Sequence, residues 1–477
     1  MNSQHLRTRQ VVARAKAPLM PPSRLDRLCL AITGQDALVI YHQLQALFYN
    51  LTGYFLLVLG LRTVRDRLAR AHVVLPTNDS VAAAVVVVSP GGLETLSLEP
   101  MPDNVATVGY NVTSCTRVPG CNSLALLDML PPDSAVVRVQ ACSVNYADVT
   151  IRWGLYESAI RFVGYPIVPG FDFCGIVERA GPDSGVSVGD QCFGITFFGA
   201  YTSRLLVPGA QLRPIPRLRV HDTGAPPAAP PPAGAPQAAM SADEAAALPS
   251  VAGTALHALK LAGIWPAVPL LHNRAVLVHS AAGGVGSMLV QMAKLCGCAP
   301  VVAVVGAPHK VAACIELGAD VVIDKSQREL WEGAEAAAPE GFAAIFDANG
   351  VATLQGSYRH LAQTGTLVVY GFHTNLPSSA SLSPLAWVRM IAGVATMPKF
   401  DPMDLVLSSK NVCGFNLSFF AHETKLVDAY MDQITDWVAR GLLRVPQVTA
   451  FELEAAPQAH TLIQSGKSVG KIVLHPP

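Results

Sequence analysis

The chain has 477 residues, 51% of them hydrophobic and 14% charged, and its 34 basic residues balance 34 acidic ones. That length allows two ordinary domains plus extra material, with apolar content enough for sizeable cores. Zero net charge gives no electrostatic basis for a nucleic-acid partner. The ten cysteines are scattered without a C-x-x-C pair, which argues against a cysteine zinc site and fits a reducing compartment.

Residues 1–30 carry Arg7, Arg9, Arg14, Lys16, Arg24 and Arg27 against a single acid, Asp26. This is the bias of a mitochondrial-type targeting segment or of a basic arm. An uncharged run follows from Ala37 to Leu61, with Arg62, Arg65, Arg67 and Arg70 directly behind it. Its length would span a bilayer, but His42, Gln43, Gln45, Asn50 and Thr52 lower its apolarity. A membrane helix and an amphipathic core helix both stay open. So does location: membrane-associated on the cytoplasmic side, mitochondrial, or soluble in the cytoplasm.

From Val81 the pattern becomes short apolar strands divided by Gly and Pro: Val85–Val88, Val136–Val139, Ile176–Glu178 and Leu205–Val207. Pro100–Ser123 reads as a loop insertion in this β-rich domain. Residues 217–240 are rich in Pro, Ala and Gly, a composition that cannot pack a core and predicts an extended linker. Ser241 then offers an N-cap for a helix. Strands and helices alternate from there: a strand at Val276–Val278, a helix to Lys294, strands at Val301–Val305 and Val321–Ile323 around a helix from Lys310 to Leu317, then Ile345–Phe346 and Leu367–Tyr370. That alternation predicts a doubly wound parallel sheet. A helix over Lys425–Arg440, stopped by Gly441, and a strand at Lys471–Leu474 end the chain.

Within this series Val276–Val278 breaks into Ala281-Ala282-Gly283-Gly284-Val285-Gly286 and a helix follows at once. A buried strand, a glycine turn and a helix N-terminus in that order make a pyrophosphate cradle. Glycines let the backbone approach the phosphates, and free N–H groups favour negative charge. An NAD site places an acid about 20 residues beyond the glycines. Here Val301–Val305 runs into Gly306-Ala307-Pro308-His309-Lys310 with no acid before Glu316. Without a carboxylate to repel a 2′-phosphate, and with Lys310 as a cation, NADP(H) is the expected cofactor.

Particular residues carry a family resemblance. Val144-Asn145-Tyr146-Ala147-Asp148 with Arg152, Gly154 and Tyr156, then Pro169-Gly170-Phe171-Asp172 and Gly175-Ile176-Val177, resemble the zeta-crystallin-type quinone oxidoreductases of the medium-chain dehydrogenase/reductase superfamily. Gly189-Asp190 and Gly199-Ala200-Tyr201 continue the match, as does the glycine turn with Gln291 and Lys294. Asn411–Leu417 and Val469–Leu474 are similar to the vesicle amine transport protein 1-like branch. The resemblance covers Val81 to His475, apart from Pro100–Ser123 and the linker.

It implies an α/β protein: a β-rich GroES-like catalytic domain over 81–245, a Rossmann domain over 246–390 and a return to the catalytic domain over 391–477; residues 1–80, which it does not cover, read from their own pattern as an N-terminal helical extension. It implies a zinc-independent enzyme, because Asn145 and Phe171 stand where zinc-dependent relatives carry Cys and His, and an amide and a phenyl ring do not ligate Zn²⁺. It places Asn145, Tyr156 and Thr254 in the catalytic cleft, with Tyr156 as a neutral donor to an oxyanion or a packed cleft wall. It places Ala282, Gly283, Gly284, Val285, Gly286, Lys310, Gly371, Phe372, Phe415 and Asn416 around the cofactor. Thr150 stands where many quinone oxidoreductases have a second tyrosine. The implied activity is hydride transfer from NADPH to a small-molecule quinone or activated enone or enal. The alternative is a membrane-associated, vesicle-type adaptor or lipid-handling protein that retains a nucleotide fold. Family analogy adds a homodimer, and residues 37–61 a membrane association.

Overall fold

The computed structural model describes residues 82–101, 104–109, 116–117, 124–127, 130–218, 238–266, 274–375, 388, 392–393, 396–419, 423–445 and 447–477. The basic arm and the apolar run 37–61 lie outside the described residues. Among those described, no helix is long and apolar enough to cross a membrane.

In the β-rich half, β1 (Ala83–Val87) pairs antiparallel with β2 (Leu96–Pro100). Next comes β3 (Val105–Val108), buried throughout. It corrects the expectation of a loop insertion over Pro100–Ser123. β3 pairs in parallel with a strand about a hundred residues away, so its four-residue signal gains meaning only from that partner. The frame of this half is β4 (Ser134–Val144), an eleven-residue strand flanked by β5 (Asp172–Ala180) and by β7 (Arg204–Pro208), which is also the partner of β3. β6 (Gln191–Ile195) continues the sheet beyond β5. Two short helices leave the far end of β4: α1 (Tyr146–Trp153), stopped by Gly154 in the left-handed region, and α2 (Glu157–Phe162).

Arg217–Leu218 and Ala238–Ala239 pair antiparallel, so the ends of the Pro/Ala-rich segment meet; residues 219–237 lie outside the described residues. Ser241 caps α3 (Ala242–Ala247), accepting the Glu244 N–H while the Glu244 carboxylate accepts the Ser241 N–H. α4 (Pro249–Leu261) follows with proline in its first turn.

The second half is a six-stranded sheet, parallel throughout. Its strands are β8 (Val276–Val278), β9 (Val301–Val305), β10 (Val321–Asp324), β11 (Phe342–Asp347), β12 (Leu361–Val369) and β13 (Asn411–Gly414), in the order β10-β9-β8-β11-β12-β13. This is the doubly wound order whose reversal between β8 and β11 opens a crevice at the strand ends. β8 and β9 are buried at every residue, which explains their β-branched runs. α5 (Gly284–Leu295), α6 (Val311–Glu316), α7 (Leu330–Ala337) and α8 (Leu354–Arg359) lie between the strands, and α9 (Pro402–Ser408) precedes β13. α10 (Thr424–Ala439) stops before Gly441, which has φ +69°.

The chain then returns to the first half. β14 (Val448–Glu452) pairs with β15 (Lys471–His475), and β15 pairs with the end of β4; α11 (Ala456–Gln464) joins the two. One apolar cluster runs from α4 and α5 to Ala141, Cys174 and Phe193 of the β-rich half, so the halves share a core. Cys296 and Cys298 are free and buried in it, as expected of small apolar residues.

Candidate active site

The glycine turn sits where the doubly wound order requires. Ser280 leaves β8 at φ +52°, a conformation uncommon outside glycine, with its hydroxyl donated to Asn349 Oδ1 at 2.9 Å. A side chain at Gly286 would put a carbon 2.4 Å from the Ser280 carbonyl, so only glycine lets α5 start this close to β8. At Gly283 an added carbon would crowd the same Ser280 carbonyl at 3.3 Å, so the turn is tight there as well. Ala282 is buried and its carbonyl accepts the Gly470 N–H at 2.8 Å; Val285 is half-buried beside it.

At the end of β9, Gly306 is exposed, and an added carbon would meet only Lys325 Cε, at 3.6 Å. Lys310 is half-buried, and its ammonium donates to the Gly466 carbonyl at 2.5 Å. Burial lowers its pKa. Lys325, exposed directly after β10, is thus a second cation at this edge, which the sequence reading passed over. A lysine immediately after the third strand of the sheet was the available signal.

The catalytic half contributes side chains held by other side chains. Asn145 directly follows β4, caps α1 and is half-buried; its N–H donates to Asp148 Oδ2 at 2.8 Å across the first turn of α1. Its Nδ2 donates to Asp172 Oδ2 at 2.9 Å and to Ser143 Oγ at 3.3 Å, and its Oδ1 accepts from Lys471 Nζ at 2.7 Å. Asp172 is fully buried and also accepts the Ser250 N–H at 2.7 Å, which ties α4 to the cleft. Asp148, also buried, accepts the Gly170 N–H and the Tyr201 hydroxyl. Loss of water around it raises its pKa to about 7, against the pull of the two N–H donors and Lys471. Asp148 therefore serves the Asn145 turn rather than the cleft.

Tyr156 packs edge-on against Phe171 and Phe198, at 5.9 and 6.3 Å between ring centres. Phe198 holds this place at φ +68°, a strained backbone for an aromatic residue. The Tyr156 hydroxyl donates to Asn416 Oδ1 at 3.2 Å and lies 3.1 Å from Ser418 Oγ. The site in this state thus gives that hydroxyl protein partners, and it reaches an acceptor only by exchanging them. Asn416 Oδ1 is fixed in turn by the Ser418 N–H at 2.9 Å.

Thr254 is half-buried on α4, next to Gly253, which is buried yet has nothing within 4 Å of where a side chain would begin. That hollow lies one turn from His257, whose ring meets Phe415 at 4.5 Å and whose Nδ1 lies 2.8 Å from the Tyr430 hydroxyl. His257, Phe415, Asn416 and Tyr156 are therefore linked in one chain of contacts, and Thr254 lies on the same helix as His257. Gly371 and Phe372 follow β12, and Phe372 is exposed. The next residue, His373, contacts the Tyr146 ring at 5.5 Å and lies 3.3 Å from Ser280 Oγ. Tyr146 and His373 bridge the two halves; Tyr146 stands inside the Asn145 motif but its partner His373 lies more than two hundred residues on, so the pair was missed. Among the described residues no cluster of His, Cys, Asp and Glu has the makings of a metal site.

Two family profiles match the chain: the alcohol dehydrogenase GroES-like domain over residues 131–217 and the zinc-binding dehydrogenase over residues 284–430. The synaptic vesicle membrane protein VAT-1 homolog of Danio rerio is 27% identical over 350 residues, covering 72% of this chain and 64% of its own length. The quinone oxidoreductase-like protein 2 of Rattus norvegicus is 25% identical over 372 residues, covering 76% and 92%. Among solved structures, a mycobacterial protein complexed with NADPH superposes with a TM-score of 0.61 at 24% identity, covering 83% of this chain and all of its own. That likeness establishes the fold.

Proposed function

On the premise that this chain belongs to the medium-chain dehydrogenase/reductase superfamily, with VAT-1 homologues and quinone oxidoreductase-like proteins among its relatives, we propose that it is an NADPH-dependent, zinc-independent reductase of quinones or activated enones and enals. The observation that carries this reading is the contiguity of cradle and cleft. Gly470 binds the Ala282 carbonyl of the glycine turn, and the next residue, Lys471, binds the Asn145 amide.

The residues fit the cofactor. The glycine turn at Gly283 and the start of α5 suit a pyrophosphate, Lys310 and Lys325 supply cations for a 2′-phosphate, and the hollow at Gly253 beside Thr254 gives room for a flat ring. Bound NADPH supplies the hydride, and the protein supplies position and water exclusion. Asn145 offers an amide to the acceptor oxygen, while Tyr156, Phe171 and Phe198 form an apolar wall for a planar acceptor. A zinc ion does not fit: Asn145 Oδ1 already faces an ammonium and Phe171 has no donor atom, whatever the name of the matching profile.

Fluorescence titration of the full chain with NADPH and NADH, followed by NADPH oxidation with a quinone and enone panel, tests the reading. Preferential NADPH binding with acceptor-dependent turnover is expected. NADPH binding without turnover of any acceptor, together with partition of the chain onto lipid vesicles, favours the membrane-associated adaptor that the VAT-1 homologues' name suggests.

A further inference from the structure

Lys471 touches both halves of the site. Its stem lies against the first residue of α5, where a side chain on Gly284 would come within 2.9 Å of Lys471 Cδ. Its ammonium is buried, 2.7 Å from Asn145 Oδ1 and 3.2 Å from the Val144 carbonyl. An ammonium only donates, so the Asn145 amide must turn Oδ1 to Lys471 and Nδ2 to Asp172.

Nδ2, Ser143 Oγ and Asp172 Oδ2 form a triangle with sides of 3.3, 2.9 and 2.7 Å, in which the two acceptors subtend about 51° at the nitrogen. The two N–H bonds of a planar amide diverge by roughly 120°. One hydrogen therefore serves both acceptors and the other is left over. Because Asn145 is half-buried while Lys471, Asp172 and Ser143 are buried behind it, the spare N–H belongs to the part of the cluster that a ligand reaches.

Building on the reductase reading, we propose that Lys471 is a positioning residue for hydride transfer: it fixes and polarises the Asn145 amide so that the spare N–H donates to the acceptor oxygen as negative charge develops there. For an enone, the hydride given up by NADPH forms a C–H bond at the β-carbon and leaves NADP⁺. The C=C electrons shift to give an enolate, and water protonates its α-carbon. A cation on Oδ1 draws electron density from the amide and strengthens the N–H donor, an effect that a low-dielectric site preserves. The ammonium thereby takes over electrostatic work that a metal does in zinc-dependent relatives.

The test is steady-state kinetics of the full chain with methyl vinyl ketone and benzoquinone, beside NADPH titration. Lys471→Met keeps the stem against Gly284 and removes the charge. It is expected to lower kcat about 100-fold, the scale of a lost oxyanion donor, with the NADPH Kd within about threefold of wild type. A lysine that is merely structural moves NADPH binding and melting instead. If the variant does not fold, Lys471→Met with Asp172→Asn removes both charges and is expected to show the same loss. If neither folds, the wild-type kcat decides. It is expected to fall in the alkaline range as Lys471 loses its proton, a loss that burial eases and that Asp172 on β5 and Asp148 on α1 oppose, and a flat profile overturns the proposal. A variant kcat within threefold of wild type overturns this proposal alone. A wild-type chain that binds NADPH and reduces neither acceptor, nor any other of the panel, overturns the reductase reading as well.

Discussion

The two halves of the site are made of different material. On the nucleotide side the candidate ligand-facing groups are backbone, the glycine turn and the start of α5, and side chains matter mainly by being small. On the catalytic side the polar groups are side chains, several of them held by other side chains: Asn145 by Lys471 and Asp172, Tyr156 by Asn416. A backbone site is robust to most substitutions and intolerant of one kind, added bulk. A side-chain site fails through loss of partners, and its buried charges make it sensitive to pH.

That contrast breaks most visibly at Asp148. Its pKa is about 7 in the fold against 3.8 for the free side chain, so the folded chain holds a proton that the unfolded chain releases between those values. The stability this contributes is fully present below about pH 4 and is lost as pH rises through 7, on the order of 4 kcal/mol at most. Denaturant melts of wild type and Asp148→Asn across this window are expected to converge at low pH and diverge from there to neutrality. Parallel curves would show that Asp148 does not titrate there.

The bulk-intolerant side is probed by Gly286→Ala, whose added carbon meets the Ser280 carbonyl at 2.4 Å. A cost of about 3 kcal/mol is expected, read as NADPH affinity lost with the remainder of the fold intact by circular dichroism. Lys310→Ala sharpens the comparison at the cradle's one charged edge. NADPH affinity is expected to fall about tenfold, the loss of one charge-assisted contact, with NADH affinity unchanged; equal losses for both would remove Lys310 from phosphate recognition. Smallest is Tyr156→Phe. Its hydroxyl already has protein partners, and Asn416 Oδ1 keeps the Ser418 N–H, so a stability change near 1 kcal/mol and a kcat drop under about threefold are expected. A hundredfold drop would make the phenol a direct partner of the acceptor.

The same division explains what could be read from the sequence. The strand, glycine turn and helix around Ala281–Gly286 lie within twenty residues, and strands β8 and β9 stand where their valine runs put them. Ser241 and Gly441 marked helix ends because caps are local. Val105–Val108 was lost inside an expected loop because its partner, β7, lies about a hundred residues on. Lys471 passed as an unremarkable residue at the start of a strand, since its partners Val144 and Asn145 lie more than three hundred residues earlier. Candidate cleft residues such as Asn145 and Tyr156 were offered by the resemblance. Their hydrogen-bond partners were not, because those contacts come from the closing of the chain.

That closure has a cost in time. Lys471 meets Val144 across 327 residues of sequence. At roughly 5–20 residues per second, a ribosome needs on the order of 20 to 60 s to make the intervening chain. Throughout that interval the end of β4 lacks its neighbour β15, and the Asn145 amide and the Asp172 carboxylate lack their ammonium. The nascent β-rich half must therefore wait, unfinished, until the last strand emerges to complete the first domain.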